Sequence, residues 1–181
     1  MLHHPPHTLG DNIVPPFTDP VQIIDRDSDG TIKSVRYEYP KEKDYLIRDI
    51  EPLLNAAKVQ LVLFGHCHLW NRFANSSGVN FLETSNVGNS YGAALGEKKR
   101  PVPDSNSENY AATGNPNGLE PIIPTIAPLV NENNQPLPYI ASNDITVFSI
   151  LDTAAGTVSS YRFDTREPNS PLIKFDEFSL K

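Results

Sequence analysis

The stretch Val59 to Phe64 (VQLVLF) constrains the fold more than any other part of this chain. It is short, apolar and β-branched, and it reads as a strand buried on both faces. Such a strand needs a layer packed against each side, so an α/β arrangement is expected. Gly65-His66-Cys67-His68 follows it directly. The strand therefore delivers two imidazoles at its carboxyl end.

The other histidines share that bias. There are five in 181 residues: His3, His4, His7, His66 and His68, with none from Leu69 onward. Clustering of this kind points to a metal or acid–base site. Met1-Leu2 reads as the end of another buried strand. His3-His4-Pro5-Pro6-His7 cannot continue it, because paired prolines remove ladder donors and force extended or turn geometry. If the two strands are parallel neighbours, both histidine loops leave one edge of one sheet, where ligand sites of open α/β sheets lie. Gly65 lets the chain turn sharply there.

The remaining elements follow from pattern. Val21–Ile24 and Thr31–Tyr39 read as a hairpin turned by Asp29-Gly30. Residues 42–58 read as an amphipathic helix with Leu46, Ile47, Ile50, Leu53, Leu54 and Ala57 on one face. Pro52 predicts a kink or restart. Val79–Thr84 is a strand candidate. Ile145–Leu151 and Thr157–Phe163 form a hairpin around Ala154-Ala155-Gly156, and a last strand covers Leu172–Phe178. Residues 97–142 are the least regular part, with eight of the 17 prolines between Pro101 and Pro138. A loop this long in a compact domain is usually functional or mobile.

Composition excludes some classes. With 22 acidic and 15 basic residues the net charge is −7, a poor match to duplex nucleic acid. No apolar run approaches the ~20 residues of a membrane span. Cys67 is the lone cysteine, so no intrachain disulfide forms. The hydrophobic fraction of 38% still allows a core.

His3-His4-Pro5-Pro6, a helix, then Val62-Leu63-Phe64-Gly65-His66-Cys67-His68 resembles the last two signature motifs of the calcineurin-like metallophosphoesterases. That superfamily includes the purple acid phosphatases. Residues His3 to about Arg72 carry the match, and the later strands agree with the family's C-terminal sheet only loosely. The resemblance implies a four-layer α/β/β/α sandwich, of which this chain would be the β-rich C-terminal part with one main helix. It implies two metal ions, Fe, Mn or Zn, with His3 and His66 as ligands of one and His68 of the other. The expected reaction is hydrolysis of a phosphate mono- or diester by metal-hydroxide attack, since two metals about 3.5–4 Å apart clamp the attacking and leaving oxygens. Beside this set, His4 is a candidate for a hydrogen bond behind a ligand or to substrate, and His7 for the general acid.

The family's earlier motifs, Asp-x-His, Gly-Asp-x-x-Asp and Gly-Asn-His-Asp/Glu, have no counterpart here. Residues 1–181 are thus expected to be a partial domain: 1–96 with the ligand motifs and core, 97–142 a long Pro/Asn-rich loop, and 143–181 the C-terminal strands. The missing N-terminal half would then be the partner that completes the site, and the chain alone would be inactive. An uncovered sheet edge would make it poorly soluble or dimeric. Many relatives are exported, so export is an expectation for the full-length form.

Two other classes compete. His3, His66 and His68 suffice for a mononuclear zinc hydrolase with one open position. A non-catalytic β-rich binding or accessory domain would draw on segment 97–142. Asp25-x-Asp27-x-Asp29-Gly30 resembles the start of a calcium loop, but its twelfth position is Arg36 where a bidentate Glu is needed, so a plain hairpin turn is the better reading. Cys67 is expected to point away from a metal, and Trp70 and Arg72 to pack the sheet. Nothing in the sequence places Tyr91, Tyr110 or Tyr139.

Overall fold

A computed structural model describes residues 1–11, 21–38, 44–100 and 111–180. The protein is β-dominated, with one short α-helix and three sheets among the described residues. Strands β1 (Val21–Arg26) and β2 (Ile32–Glu38) form the expected hairpin. Asp29 and Gly30 make its turn, with Gly30 at φ 84° and Asp29 Oδ1 accepting from the Thr31 N–H at 2.9 Å. The Asp-Gly pair is used for chain reversal, as its chemistry suggests.

The central sheet has the order β3-β5-β4-β6, from β3 (Leu61–Phe64), β4 (Trp70–Ala74), β5 (Asn80–Thr84) and β6 (Tyr139–Ile140). β3 and β5 are parallel, while β4 runs antiparallel to β5 and β6. Both faces are covered, which is why VQLVLF lacks a polar stripe. On one face Val62, Phe64, Phe73 and Phe81 pack with Leu9, Leu69 and Val79, and with Leu54 from the helix. On the other face Trp70 and Leu82 meet Val147, Val158 and Phe175 of the third sheet. That sheet is β7-β8-β9, built of β7 (Ile145–Asp152), β8 (Thr157–Asp164) and β9 (Ile173–Ser179).

Polar contacts pin the two sheets together. Trp70 Nε1 donates to Ser160 Oγ at 3.1 Å. Arg72 Nε and Nη2 donate to the two oxygens of Asp176 at 2.8 and 3.2 Å. Trp70 and Arg72 therefore pack the sheet rather than line a pocket.

The helix departs from its sequence pattern. A π-turn at Leu46–Ile50 precedes α1 (Glu51–Ala56), and the Glu51 N–H bonds to Leu46 O. Pro52 sits in the first turn of α1, where its missing donor costs nothing. The restart follows from Pro52. The extra residue of the π-turn rotates everything after it by about 100° relative to a continuous α-helix. Leu53 and Ala57 consequently face solvent, and Leu54 alone of α1 reaches the core. The expected six-residue apolar face is thus split. Its predicted start, residues 42–43, lies outside the described residues.

The described residues of segment 97–142, 97–100 and 111–142, are mostly irregular but tied down. Ile122 N donates to Arg72 O at 2.7 Å, and the N–H groups of Ile126 and Ala127 both reach Phe175 O at 3.0 Å. Arg100 is buried, and its guanidinium donates to Gly10 O, Thr8 O and Ala111 O. Burial draws the Arg100 pKa down to about 10.

Candidate metal centre

Leu2 and His3 lie along the free edge of β3. Leu2 N donates to Leu63 O at 2.9 Å, and Gly65 N donates to His3 O at 3.2 Å. The partner numbers advance together, so the first residues run in the same direction as β3. The expected strand at Met1-Leu2 does not form, and these two hydrogen bonds alone stand in its place. They bring the first histidine loop and the Gly-His-x-His loop to the carboxyl end of β3.

Three imidazoles meet there. Ligand atoms of His3, His4 and His66 all lie within 4.8 Å of one another. His66 Nδ1 is 3.2 Å from His3 Nε2. The ring centroids are 4.9 Å apart for His3–His4, 5.1 Å for His3–His66 and 4.6 Å for His4–His66. The cluster includes His4, expected only as a supporting group, and does not include His68.

The backbone is held in an unusual state to achieve this. His66 has φ 81° and His68 has φ 54°. Such left-handed conformations cost roughly 1–3 kcal/mol per non-glycine residue, and they concentrate at functional sites. The positive φ values fall on His66 and His68 and not on Gly65.

Electrostatics favour the neutral, metal-binding form of His4 and His66. Partial burial, then the neighbouring His3, lowers the pKa of His4. Burial, then His4, His3 and His68, lowers that of His66. The Nε2 atom of His66 is buried and has no hydrogen-bond partner among the described residues. An orphaned imidazole nitrogen beside two more imidazoles fits a borderline cation such as Zn, Fe or Mn.

His68 lies to one side. Its ring stacks on Tyr91 at 5.1 Å, and its Nδ1 is 3.1 Å from Asn89 O. Only an N–H can face that carbonyl, so the neutral ring carries its lone pair on Nε2. Histidine ligands are commonly oriented by such a carbonyl.

His7 has a different place from the one expected of a general acid. It is buried between Phe73 and Phe81. Its Nδ1 accepts from Asn115 Nδ2 at 3.0 Å, and its Nε2 donates to Glu51 Oε2 at 3.2 Å. The His7 hydrogen bond, and then Asn75, draw the Glu51 carboxyl below its usual range. With both nitrogens engaged, His7 joins the first loop to α1 and to the long loop, and leaves no ring atom for substrate.

Beneath the cluster lies a carboxyl that sequence reasoning missed. Glu83 of β5 is fully buried. Thr8 Oγ1 and Asn71 Nδ2 donate to its Oε2 at 3.0 and 3.2 Å. Cys67 N and Ser85 Oγ donate to its Oε1 at 2.9 and 3.1 Å. Removal from water outweighs these donors and pushes its pKa up to about 8. The available signal was period two: Val79 and Phe81 face the core, and Glu83 falls on the same face.

Cys67 is buried under the loop, and burial followed by Glu83 raises its thiol far above the usual range. Among the tyrosines, Tyr139 packs on the core below the loops, and Tyr110 lies outside the described residues.

Comparisons with protein-family models, with curated proteins and with solved structures find no match to this chain.

Proposed function

We propose that this chain is part of a calcineurin-like metallophosphoesterase and carries the histidine side of its metal centre, for hydrolysis of phosphate mono- or diesters. The observation that carries this reading is the convergence of His3, His4 and His66 at the carboxyl end of β3. Two loops far apart in sequence meet where the family's motif order requires. The helix, the central sheet and the β7-β8-β9 sheet of the described residues fit three layers of an α/β/β/α sandwich.

In this reading His3, His4 and His66 hold one ion, and His68 offers Nε2 to a second. The second ion takes carboxylate or amide ligands from a further segment of the protein. Bound metals of this class polarise a phosphoryl oxygen and make water nucleophilic at neutral pH. The chain's own contribution is to hold the imidazoles at the sheet edge, with His4 and His66 biased toward the neutral form. Glu51 and His7 hold α1 against the first loop, and Tyr91 with Asn89 orients His68.

A mononuclear zinc hydrolase is the second reading, because three clustered imidazoles already complete a ligand set with one open position. Metal stoichiometry of the purified chain, with hydrolysis of p-nitrophenyl phosphate and its bis-ester, separates the two. One zinc per chain with activity from residues 1–181 alone supports the mononuclear site. Metal binding without activity, with activity gained when a segment carrying the Asp and Asn ligands is supplied, supports the phosphoesterase. Absence of metal binding by the wild-type chain overturns both.

A further inference from the structure

We propose that Glu83 is the positioning residue of the histidine cluster, a buried carboxyl that locks the two histidine loops to each other. This rests on reading the cluster as a metal site.

The argument is one of connectivity. His3 and His4 lie on the loop that contains Thr8, and His66 flanks Cys67 on the other loop. Glu83 is bonded to both: Thr8 Oγ1 on one oxygen and the Cys67 N–H on the other. Asn71, opposite Glu83 across the β4–β5 ladder, donates to the same carboxyl and accepts from Leu9 N at 2.8 Å. Thr8 Oγ1 in turn accepts from Gly10 N at 2.9 Å. A single side chain on a rigid strand thus takes one donor from each loop and a third that itself holds the first loop. The loops also meet directly, through a side-chain hydrogen bond between Thr8 and Cys67 and through Gly10 packed on Cys67, and Glu83 fastens this contact to β5. Their pairing beside β3 rests on two backbone hydrogen bonds, which fix strand direction more firmly than ring placement.

The bond to Cys67 N matters most. It lies between two residues in left-handed conformations, so the peptide it anchors is where the chain would relax if released. Relaxation there would swing His66 away from His3. Outer partners of this kind typically change metal affinity by 10–100-fold when removed.

The test uses the full chain and four variants: Glu83→Gln, Thr8→Val, Thr8→Ser and, as a control, Asp176→Asn on the opposite face of the central sheet. The metal-free proteins are compared by long-range ¹H–¹⁵N NMR of the five imidazoles, and each is then titrated with Co²⁺ by its visible absorption. Folding is followed by fluorescence of buried Trp70. Glu83→Gln and Thr8→Val are expected to shift the His3, His4 and His66 signals and to weaken Co²⁺ binding about 10–100-fold. Asp176→Asn is expected to lower stability and leave both readouts unchanged. Wild-type imidazole signals in both Glu83→Gln and Thr8→Val overturn the proposal, as does an equal change in Asp176→Asn. If Glu83→Gln does not fold, Thr8→Val decides together with Thr8→Ser: the valine removes the hydroxyl with its bonds to Glu83, Gly10 N and Cys67 and leaves the carboxyl, and the serine, which keeps those bonds, should restore the wild-type signals. If the wild type binds no Co²⁺, the metal reading fails, while the metal-free spectra still decide the role of Glu83.

Discussion

His66 Nδ1 sits 3.2 Å from His3 Nε2, although 63 residues separate them in the chain. One nitrogen must carry a proton or both must share a cation, because two lone pairs at this distance repel. Substituting His66 or His4 by Ala should weaken zinc binding by more than the 10–100-fold typical of an outer partner. His68→Ala should leave the affinity of the chain for the first ion unchanged. Isothermal titration of the chelator-treated chain checks this. A His68→Ala chain that loses all zinc would show that the cluster is not a site by itself.

Gly10 packs on Cys67 so closely that a methyl group has no room. A Cβ at position 10 would lie 2.4 Å from Cys67 Cβ and 2.5 Å from its Sγ. Gly10→Ala should destabilise the protein by about 1–3 kcal/mol, the usual cost of overpacking. Urea unfolding measures it, and a smaller loss in a Cys67→Gly background, which removes both clashing atoms, would confirm the contact. An unchanged midpoint would sink the steric argument.

The Arg72–Asp176 pair is buried between the two sheets, and Thr125 N also donates to Asp176 at 2.9 Å. Asp176→Ala leaves a buried guanidinium without its partner and should cost about 3–5 kcal/mol. Replacing both, as Arg72→Met with Asp176→Leu, should cost less than the single change. Thermal denaturation of the three proteins checks the order. A double variant worse than either single would indicate that the pair adds net stability.

Glu83 sets a pH dependence with a definite sign. Its folded pKa of about 8 lies above the ordinary 4.5, so the folded protein keeps a proton that the unfolded chain has lost. Stability from this group is full below about 4.5 and declines as pH rises toward 8. One proton corresponds to a slope of about 1.4 kcal/mol per pH unit where it is fully developed. His4 and His66 act oppositely: their lowered pKa values make the unfolded chain protonate first, so their contribution is lost as pH falls below about 6.5. Asp44, raised by burial, acts in the same direction as Glu83. The difference between wild type and Glu83→Gln isolates the Glu83 part. A difference that does not change with pH between 5 and 8 would contradict a raised pKa.

Local chemistry in the sequence determined the strand VQLVLF, the Asp-Gly hairpin, the restart at Pro52 and the two C-terminal strands' hairpin. Each depends on neighbours in the chain: side-chain alternation, a glycine at positive φ, a missing donor. The bias of the histidines toward two loops was legible for the same reason. Which of them meet was not. His4 entered the cluster and His68 left it because ring placement depends on how Leu2–His3 docks on β3 and on left-handed turns at His66 and His68. His7 became a core residue because Glu51 and Asn115, 44 and 108 positions away, supply its partners. Glu83 looked like one more polar residue at a strand end. Only the stacking of two loops over β5 surrounded it with donors and removed it from water, and long-range contact of that kind has no local sequence signature.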